Sequence, residues 1–158
     1  MFLLTELTQE QAKLICGWKY EEEYRICNYP DWETILSQKW GITDEARRKA
    51  EFTAVIDQAN SLFAYFRFAV TGDIVMLGLG MNPQSCGKGN GATLMELIIG
   101  EFQERFSDKT LELEVRDFNK RAIQCYTRAG FQVIDRYCKD TPVGKGSFLR
   151  MRYAERMR

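Results

Sequence analysis

The stretch GLGMNPQSCGKGNGATLMELIIGEF, residues 78–102, joins an apolar run to a long helical pattern through a loop with Gly87, Gly89 and Gly91 at every second position. Inside a helix glycine costs roughly 0.5–1 kcal/mol against alanine, so three of them at a helix entry need a reason. A helix N-terminus presents unpaired N–H groups and about half a positive charge, and it favours an anion. Glycine lets the backbone approach that anion and turn successive N–H groups inward. The stretch therefore reads as strand, anion loop and helix, with phosphate or pyrophosphate as the natural ligand. A Walker loop would need GxxxxGK followed by Ser or Thr, which this loop lacks. A dinucleotide fingerprint would need GxGxxG after the first strand of a βαβ unit; here GxGxG comes in mid-chain. A tight glycine turn without a ligand is the alternative that the residues alone leave open.

The pattern outward from the loop gives the element order. FLLTEL reads as a first strand; Thr8 with Gln11 forms a capping box ahead of a helix whose inner face holds Ala12 and Ile15. WKYEEEYRICNY is an aromatic, acidic loop. Pro30 opens a second helix with Trp32, Ile35 and Leu36 inward. TDEARRKAEF is either a further short helix or a structured linker. FTAVID, LFAYFRFAVTG and DIVMLGLGM are three consecutive strands separated by turn signals. The helix after the loop runs to about Phe106, with Leu94, Met95, Ile98, Ile99 and Phe102 on one side. TLELEVRD is a strand, Asn119 caps the helix NKRAIQCYTRAG that Gly130 closes, and FQVIDRYCK and GSFLRMRY are the last two strands. The class is α/β (α+β).

Composition limits the partners. The 158 residues, 45% hydrophobic and 28% charged, suit one domain over 1–158 with a full core. Net charge is zero with both signs interspersed, which argues against nucleic acid. The closing RMRYAERMR, though arginine-rich, reads as a solvated end. No apolar run nears the roughly 18 residues of a membrane span, and MFLLTELTQEQ lacks the basic region of a signal peptide. Five cysteines without a CxxC pair fit reduced thiols in the cytoplasm and no metal site. The absence of histidine removes Ser-His and Cys-His nucleophile chemistry and most zinc catalysis.

Two motifs carry a resemblance. Gln84-Ser85-Cys86-Gly87-Lys88-Gly89 is similar to the Q/R-x-x-G-x-G/A signature of the GNAT superfamily of acyl-CoA-dependent N-acetyltransferases, with Pro83 and Gly91 also where many members have them. Asn119 to Phe131 resembles the family's N-x-x-A-x-x-x-Y-x-x-x-G-F segment with its spacing intact. The resemblance implies a mixed, mostly antiparallel sheet of about seven strands flanked by about four helices, and acetyl-CoA as co-substrate without a metal. It assigns Gln84, Gly87, Lys88, Gly89 and Gly91 to the pyrophosphate, and the backbone of Leu79 and Met81 to the pantetheine arm and the thioester carbonyl. Gly80 suits a bulge there. Asn119 caps its helix and touches the cofactor; Tyr126 binds there too and is the general acid for the departing thiolate.

The base is less determined. Alternation puts Glu112, Glu114 and Arg116 on one strand face, and Glu114 is the first candidate; the Glu21-Glu22-Glu23 run is the other. The fourth strand, DIVMLGLGM, lacks the glutamate that some members carry. Cys86, near a helix N-terminus, is either a nucleophile or simply a small loop residue, and direct attack by the amine is the family's usual route. The acceptor loop, with Glu21, Glu22 and Tyr24 as substrate-binding residues, suggests a cationic small amine, an amino acid or a peptide N-terminus. A homodimer is compatible with this reading, and a non-catalytic acyl-CoA sensing module on the same fold is its rival.

Overall fold

Capping chemistry starts the first helices. In this computed structural model, which describes residues 1–154, the Gln11 amide donates to Thr8 Oγ1 at 3.1 Å and the Thr8 amide donates to Gln11 Oε1 at 3.0 Å. That capping box opens α1 (Gln9–Gly17), which follows strand β1 (Leu3–Glu6) and buries Ala12 and Ile15. Asp31 caps α2 (Trp32–Ser37), so Pro30 precedes the cap and is not its first residue. The helix ends before Lys39, which sits at φ +59°, a left-handed conformation that stops a helix. A helix this short has a narrow inner face. Ile35 is buried, but Leu36, expected inward, is 44% exposed. Asp44 caps α3 (Glu45–Glu51), the segment left open between helix and linker, and α3 brings the α-helices among the described residues to five.

The apolar runs form strands β2 (Phe52–Ile56), β3 (Leu62–Thr71) and β4 (Ile74–Met81), then helix α4 (Asn90–Arg105). After it come β5 (Thr110–Arg116), α5 (Lys120–Ala129), β6 (Phe131–Thr141) and β7 (Gly144–Tyr153). The seven strands lie in the order β1-β2-β3-β4-β5-β7-β6. β4 and β5 run parallel, and the β1–β2, β2–β3, β5–β7 and β6–β7 pairs are antiparallel.

The chain divides into two compact units: residues 1–68 with 79–86, and residues 69–78 with those from Gly87 onward. In the first, Leu7, Ile15, Ile35, Phe52 and Tyr65 belong to a buried cluster against which Trp18, Tyr29, Trp32 and Trp40 pack. In the second, α4 buries Leu94, Met95, Ile98 and Phe102, and β5 buries Leu111, Leu113 and Val115. The arginine-rich end is more than a solvated tail. Arg150 and Arg152 lie in β7 and ion-pair with Glu112, which is 1% exposed; residues 155–158 lie outside the described residues.

Candidate active site

The loop after β4 starts with Asn82, whose Oδ1 accepts from the Gln84 amide at 3.0 Å and curls Pro83–Ser85 into one 3-10 turn. Gln84 is exposed. The half-buried Cys86 thiol donates to the Asn82 carbonyl at 3.6 Å. In the second unit, Gly87 and Gly89 take φ of +77° and +76°. That region costs other L-residues about 1–2 kcal/mol each. A Cβ at either would meet nothing within 4 Å, so the loop is open on that side. Lys88 between them is exposed.

Gly89 is the N-cap of α4, which has neither a side-chain cap nor an acid in its first turn. The other four α-helices are capped by Thr8, Asp31, Asp44 and Asn119. The N–H groups and positive dipole end of α4 are thus met by no side chain of its own cap, which is the arrangement an anion needs. Gly91 has a packing role as well. A Cβ there would stand 3.0 Å from Cys125 Sγ, so the glycine sets how closely α4 meets α5.

On α5, Asn119 Oδ1 accepts from the Ala122 amide at 3.2 Å. Tyr126 is half-buried, its ring 6.2 Å from that of Phe131. The two glutamates of β5 have different surroundings. Glu112 is neutralised by two arginines, with Arg152 Nε and Nη2 donating to Oε2 at 3.0 and 2.8 Å. Glu114 is engaged from β6, where Tyr137 Oη and Lys139 Nζ each donate to one of its oxygens. Burial first, then the bond to Glu114, pushes the Tyr137 phenol up to about 12. The Lys139 ammonium and the Arg116 guanidinium each lie 4.8 Å from the Phe148 ring centroid.

In the first unit, Leu79 and Met81 are half-buried at the end of β4. Gly80 gives room to a ring: a Cβ there would lie 2.5 Å from Tyr65 Cε1. The Tyr65 hydroxyl is 3.2 Å from that of Tyr29, and burial raises both phenols above their ordinary range. The acidic loop is a 3-10 helix over Glu22–Cys27, with Glu21 and Glu22 exposed and Tyr24 half-buried. Tyr20, next to them, donates from its phenol to the Met81 carbonyl at 2.7 Å.

The parallel ladder of β4 and β5 joins Ile74–Leu77 to Thr110–Leu113, whereas β4 itself continues to Met81. The expected residues thus fall into two sets. Leu79, Met81, Gln84, Glu21, Glu22 and Tyr24 belong to the first unit, and Gly87, Lys88, Gly89, Gly91, Glu114, Asn119 and Tyr126 to the second. Two grooves in the second unit, about 290 and 490 Å³, are lined by α4, Tyr153 and their neighbours and include none of the loop glycines Gly87 and Gly89. Among the described residues no group of three or more His, Cys, Asp or Glu could hold a metal, and no helix is long and apolar enough to cross a membrane.

Sequence reading missed Tyr20, Tyr137 and Lys139. The last two had a signal, because the turn TPVG pairs Thr141 with Gly144 and so sets Tyr137 opposite Phe148. Tyr20 had none, since its contact spans 61 residues.

The model of the Acetyltransferase (GNAT) family matches residues 17–131. No curated protein sequence matches the chain. Among solved structures, a chimera of the spermidine N-acetyltransferase SpeG from Vibrio cholerae and hSSAT superposes with a TM-score of 0.74 at 15% identity, over 96% of this chain and 94% of that one. The ribosomal-protein-S18-alanine N-acetyltransferase from Escherichia coli gives 0.69 at 21% identity, over 100% and 96%. The Vibrio cholerae spermidine N-acetyltransferase in complex with CoA and spermine gives 0.70 at 15% identity, over 96% and 94%. At these identities the likeness is one of fold.

Proposed function

This chain belongs to the GNAT acetyltransferase family, and on that footing we propose that it is a single acyltransferase domain, residues 1–158, moving an acetyl group from acetyl-CoA to a primary amine. The observation that carries the reading is the entry to α4. Two left-handed glycines, an open face and a helix end without its own side-chain cap meet the needs of a pyrophosphate. Gly87, Lys88, Gly89 and Gly91 hold it together with Gln84. The backbone of Leu79 and Met81 aligns the pantetheine arm and polarises the thioester carbonyl.

The amine attacks that carbonyl directly, and a tetrahedral intermediate collapses with loss of the CoA thiolate. Tyr126 protonates the thiolate, and Asn119 contacts the cofactor from the same helix. An amine of ordinary basicity arrives protonated and needs a base. Glu114 is the candidate, a carboxylate oriented by Tyr137 and Lys139 and therefore fixed in direction.

Glu21, Glu22 and Tyr24 suit a cationic acceptor. The fold neighbours, one in complex with spermine and one a ribosomal-protein-S18-alanine N-acetyltransferase, support a small amine or a peptide N-terminus. None of the five cysteines is in a disulfide, which supports a reducing, cytoplasmic setting.

The test is release of CoA thiol from acetyl-CoA across polyamines, amino acids, aminoglycosides and short peptides between about pH 7 and 9. Selective release with one class is expected and identifies the acceptor. Acetyl-CoA binding with no release for any amine would instead assign the chain to acyl-CoA sensing.

A further inference from the structure

The peptide between Met81 and Asn82 is held at both ends. Its N–H, from Asn82, donates to the Phe63 carbonyl on β3 at 2.9 Å. A trans peptide carries its C=O on the opposite side, and among the described residues no peptide bond is cis. The Met81 carbonyl therefore points to the edge of β4 that faces away from β3. On that edge it meets the Tyr20 phenol at 2.7 Å.

Tyr20 is itself anchored. Its amide donates to Asn28 Oδ1 at 2.7 Å, and Asn28 Nδ2 donates to the Tyr20 carbonyl at 3.4 Å. Nearby, Lys19 Nζ ties the loop across, donating to the carbonyls of Cys16 and Tyr29. Burial pushes the Tyr20 phenol well above the ordinary tyrosine range, which keeps it a donor at any pH the protein meets. One residue earlier, the Tyr65 ring occupies the space beside Gly80.

We infer that Tyr20 is a positioning residue for the acyl-CoA arm: from the loop that carries Glu21, Glu22 and Tyr24, it fixes the peptide plane at the end of β4 along which the arm aligns. The inference rests on the acyl-CoA reading above. A carbonyl oxygen has two lone pairs, so the phenol leaves one for an amide donor of the arm while setting its direction. In this scheme Tyr20 acts through the peptide that ends β4, so its effect falls on the pantetheine part of the ligand.

That confinement gives the experiment. Acetyl-CoA and 3′-phospho-ADP, the nucleotide portion without the arm, are titrated calorimetrically into the wild type, Tyr20→Phe and Tyr29→Phe. Loss of one well-made hydrogen bond weakens acetyl-CoA binding to Tyr20→Phe by about tenfold, while 3′-phospho-ADP stays within about twofold. Tyr29→Phe removes a phenol from the same loop without touching Met81, and it leaves acetyl-CoA affinity unchanged. Equal weakening of both ligands by Tyr20→Phe would make Tyr20 merely structural and overturn the inference, as would no weakening of either. A wild type that binds neither ligand would overturn the acyl-CoA reading itself, so the two failures are told apart.

Discussion

Helices α4 and α5 begin in opposite ways. α5 is closed by its own chain, with Asn119 accepting from the Ala122 amide at one end and Gly130 at φ +111° ending the other. α4 begins at Gly89, which offers no side-chain acceptor, after a loop whose left-handed glycines carry no side chains to fill the space beside them. Both ends pose the same problem, a set of amides without intrahelical partners. At α5 a side chain solves it for about 1 kcal/mol of stability. At α4 Gly89 supplies no such side chain, and a helix end of that kind suits the anion proposed for it. The three helices of the first unit show the ordinary solution in full: each has a cap and an acid in its first turn, Glu10, Glu33 and Glu45.

The strongest test of the contrast asks whether α5, closed at its end, acts through its side. Tyr126→Phe keeps the ring against Phe131 and removes only the hydroxyl. If that hydroxyl is the acid, kcat falls about 100-fold or more while acetyl-CoA affinity holds. An unchanged kcat removes Tyr126 from the chemistry and leaves Asn119 as the one residue through which α5 would act.

The next breaks the α4 side directly. Gly89→Asp places a carboxylate where an anion is expected, at a position whose left-handed backbone aspartate tolerates better than most residues. Two like charges brought together cost several kcal/mol, so acetyl-CoA binding weakens by about 100-fold. The left-handed backbone costs the aspartate up to about 1–2 kcal/mol, so the melting temperature falls by only a few degrees. Unaltered binding would show that the glycines serve the turn alone.

How much of this could be read beforehand follows the range of the interactions. The Thr8 capping box, the Asn119 cap and the Gly130 stop are local, written within a few residues, and the structure has them as the pattern required. Alternation correctly put Glu112 and Glu114 on one face of β5, yet it could not tell their surroundings apart. Glu112 meets β7 arginines and Glu114 meets β6 partners, and those depend on strand order across the sheet. α2 departs from its pattern for a local reason instead, since Lys39 at φ +59° cuts the helix before its apolar period can matter. The loop glycines were legible because they break a helical preference. Tyr20 broke no rule in the sequence, and only the folded chain brings it to Met81.

The smallest effect is also the one that separates the two duties proposed for Asn119. Asn119→Ala removes the cap of α5 and lowers stability by about 1 kcal/mol, read from the denaturant midpoint. Asn119→Ser keeps a side-chain oxygen in reach of the Ala122 amide and should recover most of that loss. If Asn119 only caps, the serine variant also binds acetyl-CoA as the wild type does. If the carboxamide touches the cofactor as well, stability returns with serine while acetyl-CoA affinity stays reduced, because the hydroxyl is too short to reach the ligand and the amide together. An alanine variant as stable as the wild type would mean that the cap is idle. The contrast between the two helix entries would then rest on the glycine loop of α4 alone.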